Sequence, residues 1–88
     1  MQRVLLLGGY GVFGGRIAER LAREPGLELI VAGRSLERAG ELAARLQKGA
    51  RARITPACLD ATQVTAADLS ALQPLLVINA SGPYQLQD

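Results

Sequence analysis

At 88 residues the chain has room for one domain, and a domain this small buries a modest share of its surface. Apolar residues make up 49% and charged residues 20%, a composition that packs a core; the net charge of +2 is scattered, and with Tyr10, Phe13 and Tyr84 as the only aromatics it argues against a nucleic-acid partner. The absence of histidine excludes His-based triads and His metal sites, a single cysteine excludes an internal disulfide, and no apolar run is long enough for a signal peptide or a membrane span, so a cytoplasmic protein with no membrane partner is expected.

The first apolar run, 4–7, lacks polar alternation, as a strand buried on both faces of a parallel sheet does. It enters a glycine-rich turn and then an amphipathic segment over 12–24. There Phe13, Ile17 and Leu21 recur beside a line of small residues, Gly14, Ala18 and Ala22, and Pro25-Gly26 stops the helix. A second buried strand is expected over 29–32. Ser35 then caps a second helix whose inward face is Ala39, Leu42, Ala43 and Leu46, closed by Gly49. The segment 51–59 alternates Arg51 and Arg53 with Ala52 and Ile54 and contains Pro56, which suits an edge strand. Thr65-Ala66-Ala67-Asp68 has the form of a capping box for a short helix to about residue 73, and 75–78 reads as another buried central strand.

This βαβαβαβ alternation predicts an α/β fold, a Rossmann-like fragment with a parallel sheet of about four strands in the order 3-2-1-4 and helices on both faces. The whole chain is expected to be a single dinucleotide-binding domain, the first half of such a fold. The second half would supply more strands, so the chain is expected to be a fragment lacking its catalytic domain. A last strand with an unpaired outer edge also predicts self-association.

The turn Gly8-Gly9-Tyr10-Gly11-Val12-Phe13-Gly14 is where chemistry is expected. Backbone donors at a helix N-terminus can hold a pyrophosphate when nothing obstructs the approach. Gly9 would permit the turn out of the strand, Gly11 the close contact with phosphate, and Gly14 the tight packing of helix on sheet. No Lys-Ser or Lys-Thr follows these glycines, which excludes a P-loop. The end of the second strand decides between cofactors, because a carboxylate there pairs with free ribose hydroxyls and repels a 2′-phosphate. Near Gly33 there is none; Arg34 and Ser35 follow, with Arg38 one turn on, and together they predict a 2′-phosphate pocket and NADP in preference to NAD. Asp60 either reaches the adenine edge or is a loop residue. Asn79, Ala80, Ser81 and Gly82 leave the last strand beside the switch point and are expected cofactor neighbours. Tyr84 is either a pocket wall or the start of a further part. The only lysine, Lys48, lies at the far end of the second helix, so no acid–base pair is defined and no catalytic residue is named. Cys58 reads as a small apolar strand residue.

Val4-Leu5-Leu6-Leu7-Gly8-Gly9-Tyr10-Gly11-Val12-Phe13-Gly14-Gly15, then Ala32-Gly33-Arg34-Ser35, then Val77-Ile78-Asn79-Ala80-Ser81-Gly82-Pro83-Tyr84, resemble in this order the N-terminal NADP-binding domain of the saccharopine dehydrogenase family. The resemblance covers nearly the whole chain. It implies the cofactor half of an oxidoreductase, with Gly9, Gly11, Gly14, Arg34 and Ser35 at cofactor-contacting positions and the substrate bound by a later domain. Two other readings stay open. Gly8, Gly11 and Gly14 also fit the G-x-x-G-x-x-G turn of an extended short-chain dehydrogenase, although the Tyr-x-x-x-Lys pair of that class is absent from these residues. A non-catalytic NADP sensor would use the same turn and the same arginine.

Overall fold

A computed structural model describes residues 2–8, 12–60 and 63–80, and within these the side chains of Val12 and Phe13 are not described. The elements run β1 (Gln2–Leu7), α1 (Val12–Leu21), β2 (Leu27–Gly33), α2 (Leu36–Gln47), β3 (Arg53–Cys58), α3 (Ala66–Leu72) and β4 (Leu76–Asn79). The strands form one sheet in the order β3-β2-β1-β4, with every neighbouring pair parallel. This is the doubly wound arrangement that the alternation of strand and helix patterns predicts.

Because side chains alternate across a strand, the run 4–7 serves two cores at once. Val4 and Leu6 face α1 and α2, where Ala18, Ala22, Leu42, Ala43 and Leu46 close over them. Leu5 and Leu7 face the other way with Ile30 and Ala32, covered by Val64 and by Leu69 and Leu72 of α3. Leu5, Leu6, Leu29 and Val31 are completely buried, and each such side chain contributes about 1.5–3 kcal/mol relative to exposure. Gly14 and Ala18 of α1, and Ala22 just past its end, are all buried, whereas Ile17 and Leu21 are only partly covered. Small residues on the contacting face let the helix axis lie close to the strands.

Helix α1 ends three residues before the expected boundary. Ala22 N–H still donates to the Ala18 carbonyl, but Arg23 and Glu24 reach back only three residues, to Arg20 and Leu21. This tightening is how a chain leaves a helix when Pro25 forbids helical geometry at the preceding position. Helix α2 begins as expected, with the Ser35 hydroxyl accepting from Arg38 N–H at 3.2 Å. In α3 the capping box is complete: Asp68 N–H donates to Thr65 Oγ1 at 3.2 Å and Thr65 N–H to Asp68 Oδ2 at 3.0 Å. Arg3, paired with Glu28 at 3.0 Å, also donates to the Leu72 carbonyl and so ties β1, β2 and the end of α3 together.

One strand departs from its expected environment. The run 75–78 has the unbroken apolar pattern of a central strand, yet Leu75, Leu76 and Val77 are 69%, 52% and 41% exposed. The reason is topological: β4 pairs with β1 on one side and lies at the edge of the described sheet. By contrast Arg51 and Arg53 are exposed and Ala52 and Ile54 buried, as the alternation in the other edge strand requires.

Candidate functional site

Parallel pairing brings the C-terminal ends of all four strands to one rim. The ladder extends a step beyond the strands there: Gly8 N–H donates to Ala32 O at 2.9 Å, Leu59 N–H to Gly33 O at 2.8 Å and Ala80 N–H to Leu7 O at 2.8 Å. The rim backbone is thereby held in register by the sheet itself. The chain leaves β1 toward β2 through α1, and returns from β3 to the opposite side of β1 through α3, so the order reverses between β1 and β4. In open α/β sheets, a ligand sits in the crevice at such a reversal.

At the mouth of that crevice Gly8 has φ of +77°, a left-handed backbone that side chains disfavour. The chain thus leaves β1 through a left-handed residue at Gly8, the first glycine of the expected turn. Gly9, Tyr10 and Gly11 lie outside the described residues, as do Ser81, Gly82 and Tyr84, and so do the side chains of Val12 and Phe13. Gly14 is buried in the first turn of α1. On the far side of β1, Asn79 is exposed at the end of β4 opposite Leu7, and Ala80 is buried in the core beneath α1.

The second cluster stands at the end of β2. Gly33 is buried, Arg34 is exposed, and Ser35 caps α2. Among the described residues no hydrogen bond or ion pair engages the Arg34 guanidinium, and no carboxylate lies between Gly33 and Leu36. Arg38 is exposed one turn along the helix, and Asp60 is half-buried just past β3, with its carbonyl accepting from Gln63 N–H. The structure thus brings Gly8, Gly33, Arg34, Ser35, Asp60, Asn79 and Ala80 to one end of the sheet.

The sequence reading missed three residues at this rim. Cys58, expected to be a small apolar strand residue, is exposed, and its thiol donates to the Arg34 carbonyl at 3.4 Å. Leu36 follows the cap and is 55% exposed, an apolar surface beside the arginine. Glu37 puts a carboxylate in the first turn of α2, where it favours the helix dipole. Only the parallel register, which sets Gly33 opposite Cys58, makes the thiol a neighbour of Arg34.

A left-handed glycine, an exposed guanidinium and a helix N-terminus together fit a dinucleotide carrying an extra phosphate. No group of three or more metal-ligating side chains occurs among the described residues, and no described helix is long and apolar enough to cross a membrane.

The saccharopine dehydrogenase NADP-binding domain family matches residues 4–88. The chain belongs to that family. NADP is accordingly its cofactor. Among solved structures, this NADP-binding domain is similar to a short-chain dehydrogenase from Sphingobium yanoikuyae in complex with NADPH, at 34% identity and a TM-score of 0.62 over 81% of the chain and 27% of the other protein. It is also similar to the bulky-bulky ketone specific alcohol dehydrogenase from Comamonas testosteroni. The tetragonal form aligns at 31% identity, with a TM-score of 0.61, over 81% of the chain and 28% of that protein. The orthorhombic form aligns at 25% identity, with a TM-score of 0.65, over the whole chain and 39% of that protein. The chain thus spans well under half the length of these structures. No curated protein matches it.

Proposed function

We propose that the chain is the cofactor-holding half of a cytoplasmic NADP(H)-dependent oxidoreductase of the saccharopine dehydrogenase type. In this reading it seats the pyrophosphate on Gly9-x-Gly11-x-x-Gly14 and the 2′-phosphate at Arg34 and Ser35. The observation that carries this assignment is the exposed Arg34 guanidinium beside the N-terminus of α2, at the end of a strand that ends without a carboxylate. A guanidinium and a helix N-terminus both favour a dianionic phosphate, and the acid that would select an unphosphorylated ribose is absent. Gly8, Val12, Phe13, Gly33, Arg38, Asp60, Asn79, Ala80, Ser81 and Gly82 complete the proposed cofactor neighbourhood. When bound, the nicotinamide supplies or accepts a hydride. The residues of this chain orient it, and a further domain of the oxidoreductase brings the substrate, in keeping with the larger size of the similar structures.

Titration of the chain with NADPH and NADH, before and after Arg34→Ala, tests the assignment. The substitution is expected to weaken NADPH by about 1.5–3 kcal/mol, the range for charge-assisted hydrogen bonds, and to leave NADH nearly unchanged. Equal losses for both cofactors would refute the 2′-phosphate pocket.

A second reading, a short-chain dehydrogenase-like cofactor domain, is favoured by the left-handed Gly8, which is the first glycine of a G-x-x-G-x-x-G turn through Gly11 and Gly14, and by the similar solved structures. In that case Gly8→Ala would cost cofactor affinity and stability together, whereas Gly9→Ala would be the milder change.

A further inference from the structure

The two edges of the described sheet are finished differently. β4 carries exposed Leu76 and Val77, whereas β3 is fitted with devices that occupy or remove most of its outward N–H donors. Leu59 N–H points toward β2, where it donates to Gly33 O. Since strand backbone groups alternate in direction with period two, Ile54, Pro56 and Cys58 are the β3 residues whose nitrogens face away from the sheet. The Ile54 N–H is taken by Gln47 Oε1 at 2.9 Å, and Gln47 Nε2 donates to the Ala52 carbonyl at 3.1 Å. A primary amide carries a donor and an acceptor side by side, as a peptide unit does, so Gln47 satisfies this stretch much as a neighbouring strand would. Pro56 has no N–H at all. Of the three outward nitrogens, Cys58 alone keeps a donor not removed by either device.

We infer that Gln47 is an edge guard: its side-chain amide, projected from the last turn of α2, acts as a one-residue surrogate strand that together with Pro56 closes β3 to pairing with a second copy of this chain. An unguarded edge with its donors and acceptors free is a template for strand addition. The guard works only because α2 ends at Gln47 and a short connection brings Ala52 and Ile54 back alongside it.

Amide hydrogen exchange and sedimentation velocity on the 88-residue chain test the inference. In the wild type, Ile54 should exchange slowly despite facing away from the sheet, and the 53–58 amides should show no protection that grows with concentration. Gln47→Ala should speed Ile54 exchange by about fivefold, the equivalent of one net hydrogen bond, and the 53–58 amides should gain protection as concentration rises, in step with a new dimer. A folded Gln47→Ala chain that stays in the wild-type association state, or a wild-type Ile54 amide that exchanges at the free-chain rate, would reduce Gln47 to a brace of the α2–β3 connection and overturn the inference. Pro56→Thr provides a second test that leaves Gln47 in place. The restored outward donor should promote association through β3, and unchanged association would likewise count against the guard.

Discussion

At the scale of single residues, the rim of the sheet sets Cys58 beside Arg34, and this offers a direct probe of the proposed phosphate pocket. Cys58 is the only cysteine in the chain and is exposed, so an alkylating reagent reports on it alone. NADPH is expected to slow its alkylation markedly and NADH to do so less at equal concentration, because the 2′-phosphate is assigned next to Arg34. Loss of intact thiol followed by mass spectrometry checks this, and equal rates with and without NADPH would move the phosphate elsewhere. Arg34, Ser35 and the missing carboxylate were legible in the sequence because they are local: strand end, cap and charge are adjacent in the chain. Cys58 was not, because its neighbourhood depends on strand register across a span of 24 residues. Nor could the glycine pattern alone reveal the left-handed backbone at Gly8, since a glycine at a strand exit permits a positive φ without requiring it.

At the scale of elements, the helices were read well where capping chemistry is explicit, as with Ser35 and the Thr65–Asp68 box. The end of α1 was placed late because its last turn relaxes into three-residue reaches that the amphipathic pattern does not reveal. The exposure of β4 is not written in its unbroken apolar run, because burial depends on what lies beside the strand, and the order 3-2-1-4 sets β4 at the edge of the described sheet. Helix α2 also contains Gly40, where an added Cβ would meet nothing within 4 Å. Gly40→Ala should therefore stabilise the chain by about 0.5–1 kcal/mol through the helix-interior cost of glycine, with no effect on cofactor affinity. Denaturant titration checks the first part and calorimetry the second; destabilisation would show that the exposed face of α2 is more closely packed than described.

For the whole molecule, one sheet separates two cores and β1 feeds both. A chain of 88 residues is expected to have only about 4–13 kcal/mol of net stability at typical per-residue values. Truncation at the centre, Leu6→Ala, should remove about 2–5 kcal/mol. Saturating NADPH should restore roughly 2.7 kcal/mol at a hundredfold excess over Kd, because it binds the folded state alone. Thermal melts with and without cofactor measure both effects; a Leu6→Ala chain as stable as the wild type would contradict the placement of this side chain in the core. The same sheet has two ends, and the cofactor is assigned to the C-terminal ends of the strands. Backbone amide shifts on titration with NADPH test this placement most directly. The prediction is large changes at Gly8, Gly33 to Leu36, Cys58 to Asp60 and Asn79 to Ala80, with none around Gln2, Arg3, Gln73 and Leu75 at the opposite end. Changes centred on that opposite end, or no changes at saturating NADPH, would contradict it.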